Sequence, residues 1–242
     1  MKVEVYEEEL KVTPGYADAR GLFGIPDTFR AFMDMAAIHA EVLGLGFRAL
    51  AAKDMFWLTV KTSVHFVKRP KMCEGVTLRT WPEKPERARG NRSYEMVLNG
   101  ERAAFGKTEW AVVNVKTNRL CPMAAVYPED MVFPEGSACP EPYAKVDDCF
   151  EEGDYICDHR VVSSDIDVGG HMNNAAYVKA LFSGFTNAQL SGMDIARMDV
   201  IFRAPCFEGD VLKVFRRRDE EGFSLKMERE GKPAILAKMF LR

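Results

Sequence analysis

The chain repeats itself, and that repetition constrains its fold more than any other feature. The phrase DARGLFGIPDTF (Asp18 to Phe29) lies over DVGGHMNNAAYV (Asp167 to Val178) without a gap. Farther along, FVKRPKMCEGV (Phe66 to Val76) lies over IFRAPCFEGDV (Ile201 to Val211), which sets Pro70 on Pro205. The offsets are 149 and 135, so the second half has shorter loops. Two similarities in the same order within 242 residues predict two copies of one structural unit.

Each copy reads as a strand, a long helix and then a run of strands. Lys2 to Lys11 alternates and stops at Pro14-Gly15. Asp27-Thr28 is the expected cap of a helix running to about Leu43, with Phe29, Phe32, Met33, Ala36, Ala40 and Leu43 as its apolar stripe. Strands are expected at Phe56 to Val67, Val76 to Trp81, Ser93 to Leu98 and Ala103 to Val115, with a hairpin turn at Asn99-Gly100. Five of the twelve prolines fall within residues 122–142, which predicts an extended surface connector holding the boundary between residues 1–135 and residues 150–242. The order then repeats: a strand from Tyr155 to Val162, a helix from about Ala175 to Leu190, and strands at Met198 to Arg203, Val211 to Arg217, Phe223 to Glu228 and Ala234 to Leu241. The expected class is α+β, an antiparallel sheet wrapped around a long helix, made twice.

Composition narrows the function. Thirty-three Lys and Arg against 36 Asp and Glu give a net charge of −3, which argues against a nucleic-acid-gripping protein. No apolar run approaches the roughly 20 residues that cross a bilayer, and the charged start does not resemble a signal peptide. The six cysteines form no CxxC pair and the four histidines show no zinc spacing, so reduced thiols, a cytoplasmic location and no metal or cofactor are expected.

Chemistry concentrates in SDIDVGGHMNNAAYV, Ser164 to Val178, where a strand gives way to a helix. Adjacent glycines let a ligand approach the backbone, and a helix start presents unpaired N–H groups and a positive dipole end to a developing oxyanion. A carboxylate there is suited to act as base or nucleophile, and an imidazole to hold water or substrate. The bland alternatives are an Asx turn for Asp167, a structural hydrogen bond for His171, and turn-only roles for Gly169 and Gly170. Asp165 reads as structural. Asn173 or Asn174 caps the helix, with Asn174 preferred.

The segment DIDVGGHMNN followed by AAYV resembles the active-site segment of hotdog-fold thioesterases. The match is most extended to the acyl-acyl-carrier-protein (acyl-ACP) thioesterases, which are double hotdogs with the pattern D-[IL]-D-x-N-x-H-x-N-N-x-x-Y. Asp165, Asp167, His171, Asn173, Asn174 and Tyr177 fit it. In the first half, WLTVKTSVHFVKRPKMCEGVTLRTWPEK, RARGNRSYEM and GKTEWAVVNVKTNRL are similar to further family segments, so the resemblance spans about Gly15 to Leu241. The family's Asn is Gly169 here and its downstream Glu falls at Pro205; the "R-x-P" turn is Arg69-Pro70 with nothing between. The D-x-G-G run also resembles single-hotdog acyl-CoA thioesterases, where the Asp is the catalytic carboxylate and amides near the glycines polarise the thioester.

The resemblance implies a tandem hotdog that hydrolyses fatty acyl thioesters and releases free fatty acid from acyl carrier protein. The first half would bind the acyl chain, with Phe29, Phe32, Met33, Met35, Phe56 and Trp57 as candidate slot residues. The second half would hold the catalytic set Asp167, Gly169, Gly170, His171 and Asn173, with amides from Gly169 to Met172 holding the oxyanion. Alternatives are an acyl-CoA thioesterase of the same fold, a non-catalytic acyl-binding hotdog and, less favoured because no Asn-Pro separates Asp from His, an enoyl hydratase. The basic runs Lys84, Arg87, Arg89, Arg92 and Arg216 to Arg218 are either docking sites for acidic acyl carrier protein or coenzyme A phosphates, or solvated surface. Strand alternation turns Arg217 away from its two neighbours. A fused pair could act as a monomer or assemble as a homodimer.

Overall fold

The computed structural model describes residues 3–242; the part of the expected first strand at Lys2 lies outside them. The first half comprises β1 (Tyr6–Lys11), α1 (Ile25–Val42), a short α2 (Phe47–Ala51), β2 (Met55–Phe66), β3 (Gly75–Pro82), β4 (Gly90–Leu98), β5 (Glu101–Asn114) and β6 (Arg119–Cys121). The second comprises β7 (Tyr155–Arg160), α3 (Asn174–Leu181), α4 (Asn187–Ser191), β8 (Ile195–Phe202), β9 (Val211–Arg218), β10 (Gly222–Arg229) and β11 (Lys232–Leu241).

All strands join one antiparallel sheet in the order β1-β3-β4-β5-β2-β8-β11-β10-β9-β7, with β6 added beside β5. The order is symmetric about the β2–β8 pair, so each half is a hotdog and the chain is a double hotdog. Main-chain bonds fix the equivalence. Val67 and Lys68 N–H both donate to Ala103 O, and Arg203 and Ala204 N–H both donate to Ala234 O, so residues there correspond at an offset of 136. This corrects the register read from sequence by one residue: Pro70 lies over Cys206, and Arg69 lies over Pro205. Ser63 and Asp199 are equivalents at that offset and also partners across the β2–β8 seam, so the pseudo-dyad passes between them. The Ser63 hydroxyl donates to Asp199 Oδ1 at 2.6 Å, and Arg197 grips the same carboxylate through Nε and a terminal nitrogen.

The helices bury one face each against the sheet. Phe29, Phe32, Met35 and Ala36 of α1 and Tyr177, Val178 and Leu181 of α3 belong to one core, each large apolar side chain contributing roughly 1.5–3 kcal/mol. Both helices differ from expectation at an end. Helix α1 starts earlier, with Gly24 as N-cap and Pro26 in its first turn, where a missing N–H costs nothing; Asp27 and Thr28 are already helical. The second helix does not reach Leu190 unbroken. It tightens at Phe182–Gly184, extends at Phe185 and restarts as α4, where Thr186 and Gln189 form a reciprocal capping box.

The first half carries an extra apolar layer that the sequence reading omitted. Helix α2 and β6 help enclose Leu45, Leu50, Val112, Met123 and Met131 against Trp57. Beneath α1, Arg92 is buried and donates to His39 Nδ1 at 3.0 Å. The basic cluster expected at Lys84 to Arg92 is therefore no single patch: Lys84, Arg87 and Arg89 are exposed, and Arg92 faces the core. Arg217 does point away from its neighbours, lying on Phe150 while Arg216 and Arg218 lie on Phe223.

The connector is extended but pinned. Lys107 Nζ donates to Glu141 O, the Tyr143 hydroxyl to Asn91 Oδ1 and the Ala144 N–H to Asp199 Oδ2, while Cys139 is fully buried. Among the described residues no helix is long and apolar enough to cross a membrane.

Candidate active site

The turn between β7 and α3 is built by main-chain bonds. Asp167 N–H donates to His171 O at 3.0 Å, Gly170 N–H to Asp167 O at 3.0 Å, and Met172 N–H to Cys206 O at 2.7 Å. Gly170 sits at φ +76°, a left-handed conformation that glycine adopts without strain. Asn173, not Asn174, caps α3: its Oδ1 accepts from Ala175 N–H at 2.8 Å. Asn174 instead donates to Thr59 Oγ1 on β2 at 2.7 Å, tying this turn to the first half.

The turn holds the Asp167 carboxylate by one oxygen. Oδ1 accepts from Gly169 N–H at 2.8 Å and lies 3.7 Å from His171 Nδ1. Oδ2 has no hydrogen-bond partner among the described residues. The imidazole packs edge-on against Phe56, which meets Phe47 the same way. These groups explain Gly169. A Cβ there would lie 2.9 Å from His171 Nε2, 2.9 Å from Phe56 and 3.0 Å from Asp167 Oδ1, so any side chain would push apart the three groups that converge on it.

Asp167 and Asn173 line a cleft of about 1140 Å³ that also takes in Asp18, Arg20, Arg30 and Lys179, and so runs between the starts of both long helices. Burial raises the pKa of Asp27 and of Asp34 in its wall above the ordinary carboxylate range.

The structure brings Asp167, Gly169, Gly170, His171 and Asn173 together, but it corrects the expected oxyanion donors. The Gly169, Gly170 and Met172 amides already have acceptors within the turn or its neighbour. Among the described residues the His171 N–H has no acceptor. Cys206 is fully buried beneath the turn, a packing residue. The candidate slot residues divide: Phe29, Phe32 and Met35 are core, Met33 lines the cleft, Phe56 holds His171, and Trp57 packs in the extra layer of the first half. Thr59 was missed because nothing local marks a strand threonine as the partner of an asparagine 115 residues away.

The model of the acyl-ACP thioesterase N-terminal domain matches residues 3–130, and that of the acyl-ACP thioesterase C-terminal domain matches residues 151–234. Three solved structures share the fold over nearly the whole chain. An acyl-ACP thioesterase from Bacteroides thetaiotaomicron is 19% identical with a TM-score of 0.88, covering 98% of both chains. A putative oleoyl thioesterase from Lactobacillus plantarum is 18% identical with a TM-score of 0.86, covering 99% of this chain and 96% of that one. A 12:0-ACP thioesterase from Umbellularia californica is 16% identical with a TM-score of 0.88, covering 98% and 97%. No curated protein sequence matches this chain.

Proposed function

The chain belongs to the acyl-ACP thioesterase family and hydrolyses fatty acyl thioesters of acyl carrier protein; from that premise we propose that Asp167 is its catalytic carboxylate. The observation that carries this is the anchoring of Oδ1 by Gly169 N–H on the wall of the interdomain cleft, with Oδ2 left unengaged. An oxygen held in this way is suited to take a proton from an attacking water, or to attack the thioester carbon itself. His171 orients that water: a closure of under about 1 Å brings Nδ1 into hydrogen-bond reach of Oδ1, a tightening usual on substrate binding. The His171 N–H, beside the positive end of α3, stabilises the oxyanion. Asn173 holds the helix start, Gly170 gives the turn its left-handed residue, and Gly169 keeps the space between imidazole and carboxylate clear.

In this reading residues 150–242 supply the chemistry and residues 1–135 receive the acyl chain, with Met33 on the cleft wall. The enzyme works as a monomer in cytoplasmic fatty acid synthesis, since its two-fold relation is satisfied within one chain; light scattering at working concentration tests the oligomeric part. The test of mechanism is a panel of acyl-ACP and acyl-CoA thioesters of graded length with Asp167→Asn and Asp167→Ala. Retention of wild-type turnover by both variants removes Asp167 from the mechanism. Single turnover in ¹⁸O-water identifies one nucleophilic route: label in Asp167 reports an acyl anhydride hydrolysed at the aspartyl carbon, which a general base does not produce.

A further inference from the structure

On the sheet face turned away from the helices, three donor-bearing side chains from distant parts of the chain meet. His65 lies on β2 between Val64 and Phe66, both of which enter the core, so its imidazole emerges on the opposite face. It stacks there on Phe105, with ring centroids 4.7 Å apart. The connector brings Cys139 and Glu141 to the same spot, and the ligating atoms of all three residues lie within 4.8 Å of one another. Tetrahedral zinc, with bonds of about 2.0–2.3 Å, holds its donors about 3.5 Å apart, so small side-chain rotations close the set.

His65 Nε2 is buried and has no hydrogen-bond partner among the described residues, a cost that a bound cation removes. The sulfur donor is buried and the carboxylate exposed, which gives a soft donor inside and an entry side facing solvent. The neighbouring cations are already engaged. Lys107 Nζ donates to the Glu141 carbonyl, and Arg197 donates to Asp199 and to Pro142 O.

We propose that His65, Cys139 and Glu141 form a binding site for zinc(II) or a cation of its class, which staples the connector to the strand at the centre of the sheet. Mixed nitrogen, sulfur and oxygen donors fit zinc and exclude magnesium or calcium, which take oxygen alone. Burial pushes the Cys139 thiol up to about 11 and the His65 imidazole down, leaving a protonated thiol beside a neutral ring. On coordination the thiol releases its proton to water as the sulfur–metal bond forms, and the ring nitrogen binds through its lone pair. The site stands apart from the catalytic cleft, so it acts on stability and not on hydrolysis.

Competition titration of the full chain with zinc against a chromophoric chelator is expected to show one saturable equivalent. Cobalt(II) in its place is expected to give a near-ultraviolet thiolate charge-transfer band. Cys139→Ser abolishes the band and weakens zinc binding at least tenfold, His65→Gln weakens it as much, and both variants keep acyl-ACP hydrolysis, which reports that they fold. Absence of a saturable equivalent, a cobalt spectrum without the thiolate band, or binding that survives both substitutions and is lost instead in Cys73→Ser or Cys149→Ser overturns the proposal.

Discussion

Asp18 and Asp167 stand at the same place in the two halves, on turns with the same backbone. Each donates its N–H to the carbonyl four residues on (Leu22 and His171), and each takes an amide two residues on through Oδ1, from Arg20 and Gly169, both at 2.8 Å. Gly21 and Gly170 share the left-handed conformation, at φ +70° and +76°. The side chains around the two carboxylates differ. Asp18 Oδ1 also takes the Leu22 N–H at 3.2 Å, and Oδ2 is ion-paired with Arg69 at 2.6 Å. At the equivalent positions of the second half, the His171 N–H has no acceptor among the described residues and Arg69 is replaced by Pro205. One carboxylate is clamped through both oxygens and the other is held through one. A duplicated fold keeps the geometry of a site cheaply; the side chains that neutralise or release it decide which copy works.

The largest expected effect breaks that comparison directly. Asp167→Ala should lower kcat on acyl-ACP by about 10²–10⁴-fold, the range of a lost general base, while Asp18→Ala leaves kcat within a few-fold; equal losses would show that the halves are not divided as described. Next is Gly169→Asn, which puts a side chain where His171, Phe56 and Asp167 converge. It should cost about 10²-fold in kcat, as misplacement of reacting groups by an ångström does, whereas Arg20→Gly at the equivalent position of the first half leaves kcat unchanged. The comparison sharpens with Pro205→Arg, which rebuilds the first half's clamp in the second; about tenfold lower kcat/KM is expected from pairing the Asp167 carboxylate, with thermal stability retained.

The smallest effect concerns stability against pH. Burial, reinforced by the Arg92 charge, pushes His39 down from 6.5 to about 4. The unfolded chain therefore binds a proton that the folded chain refuses between those values, so this contribution is complete above pH 6.5 and is lost as pH falls toward 4. His39→Gln should flatten that part of the urea-denaturation profile. An unchanged profile would mean that the imidazole is not held neutral under α1.

Much of the architecture was legible because the relevant forces act locally. The alternation of apolar residues located the principal strands within a few residues, and Asn99-Gly100 forms its turn with positive φ at both residues. The T-x-x-Q box at Thr186 is equally local, and it restarts the helix that the apolar stripe alone makes continuous. The candidate segment Ser164 to Val178 was legible because glycines, an acid, an imidazole and a helix cap must be contiguous to make such a turn. Its partners were not, since they arrive from a distant strand: Thr59 for Asn174 and Phe56 for His171.

By itself, then, the chain's amino-acid order determined two copies of a sheet-wrapped helix and a glycine-rich acidic bend before the second, because hydrophobic period and turn chemistry are properties of neighbours. Only the tertiary structure decided which amides of the turn have acceptors, that Pro205 stands where Arg69 does, that Arg92 turns inward, and that His65 meets Cys139 and Glu141. Those outcomes depend on strand register and on how the connector crosses the sheet, where a shift of one residue changes the face that a side chain occupies.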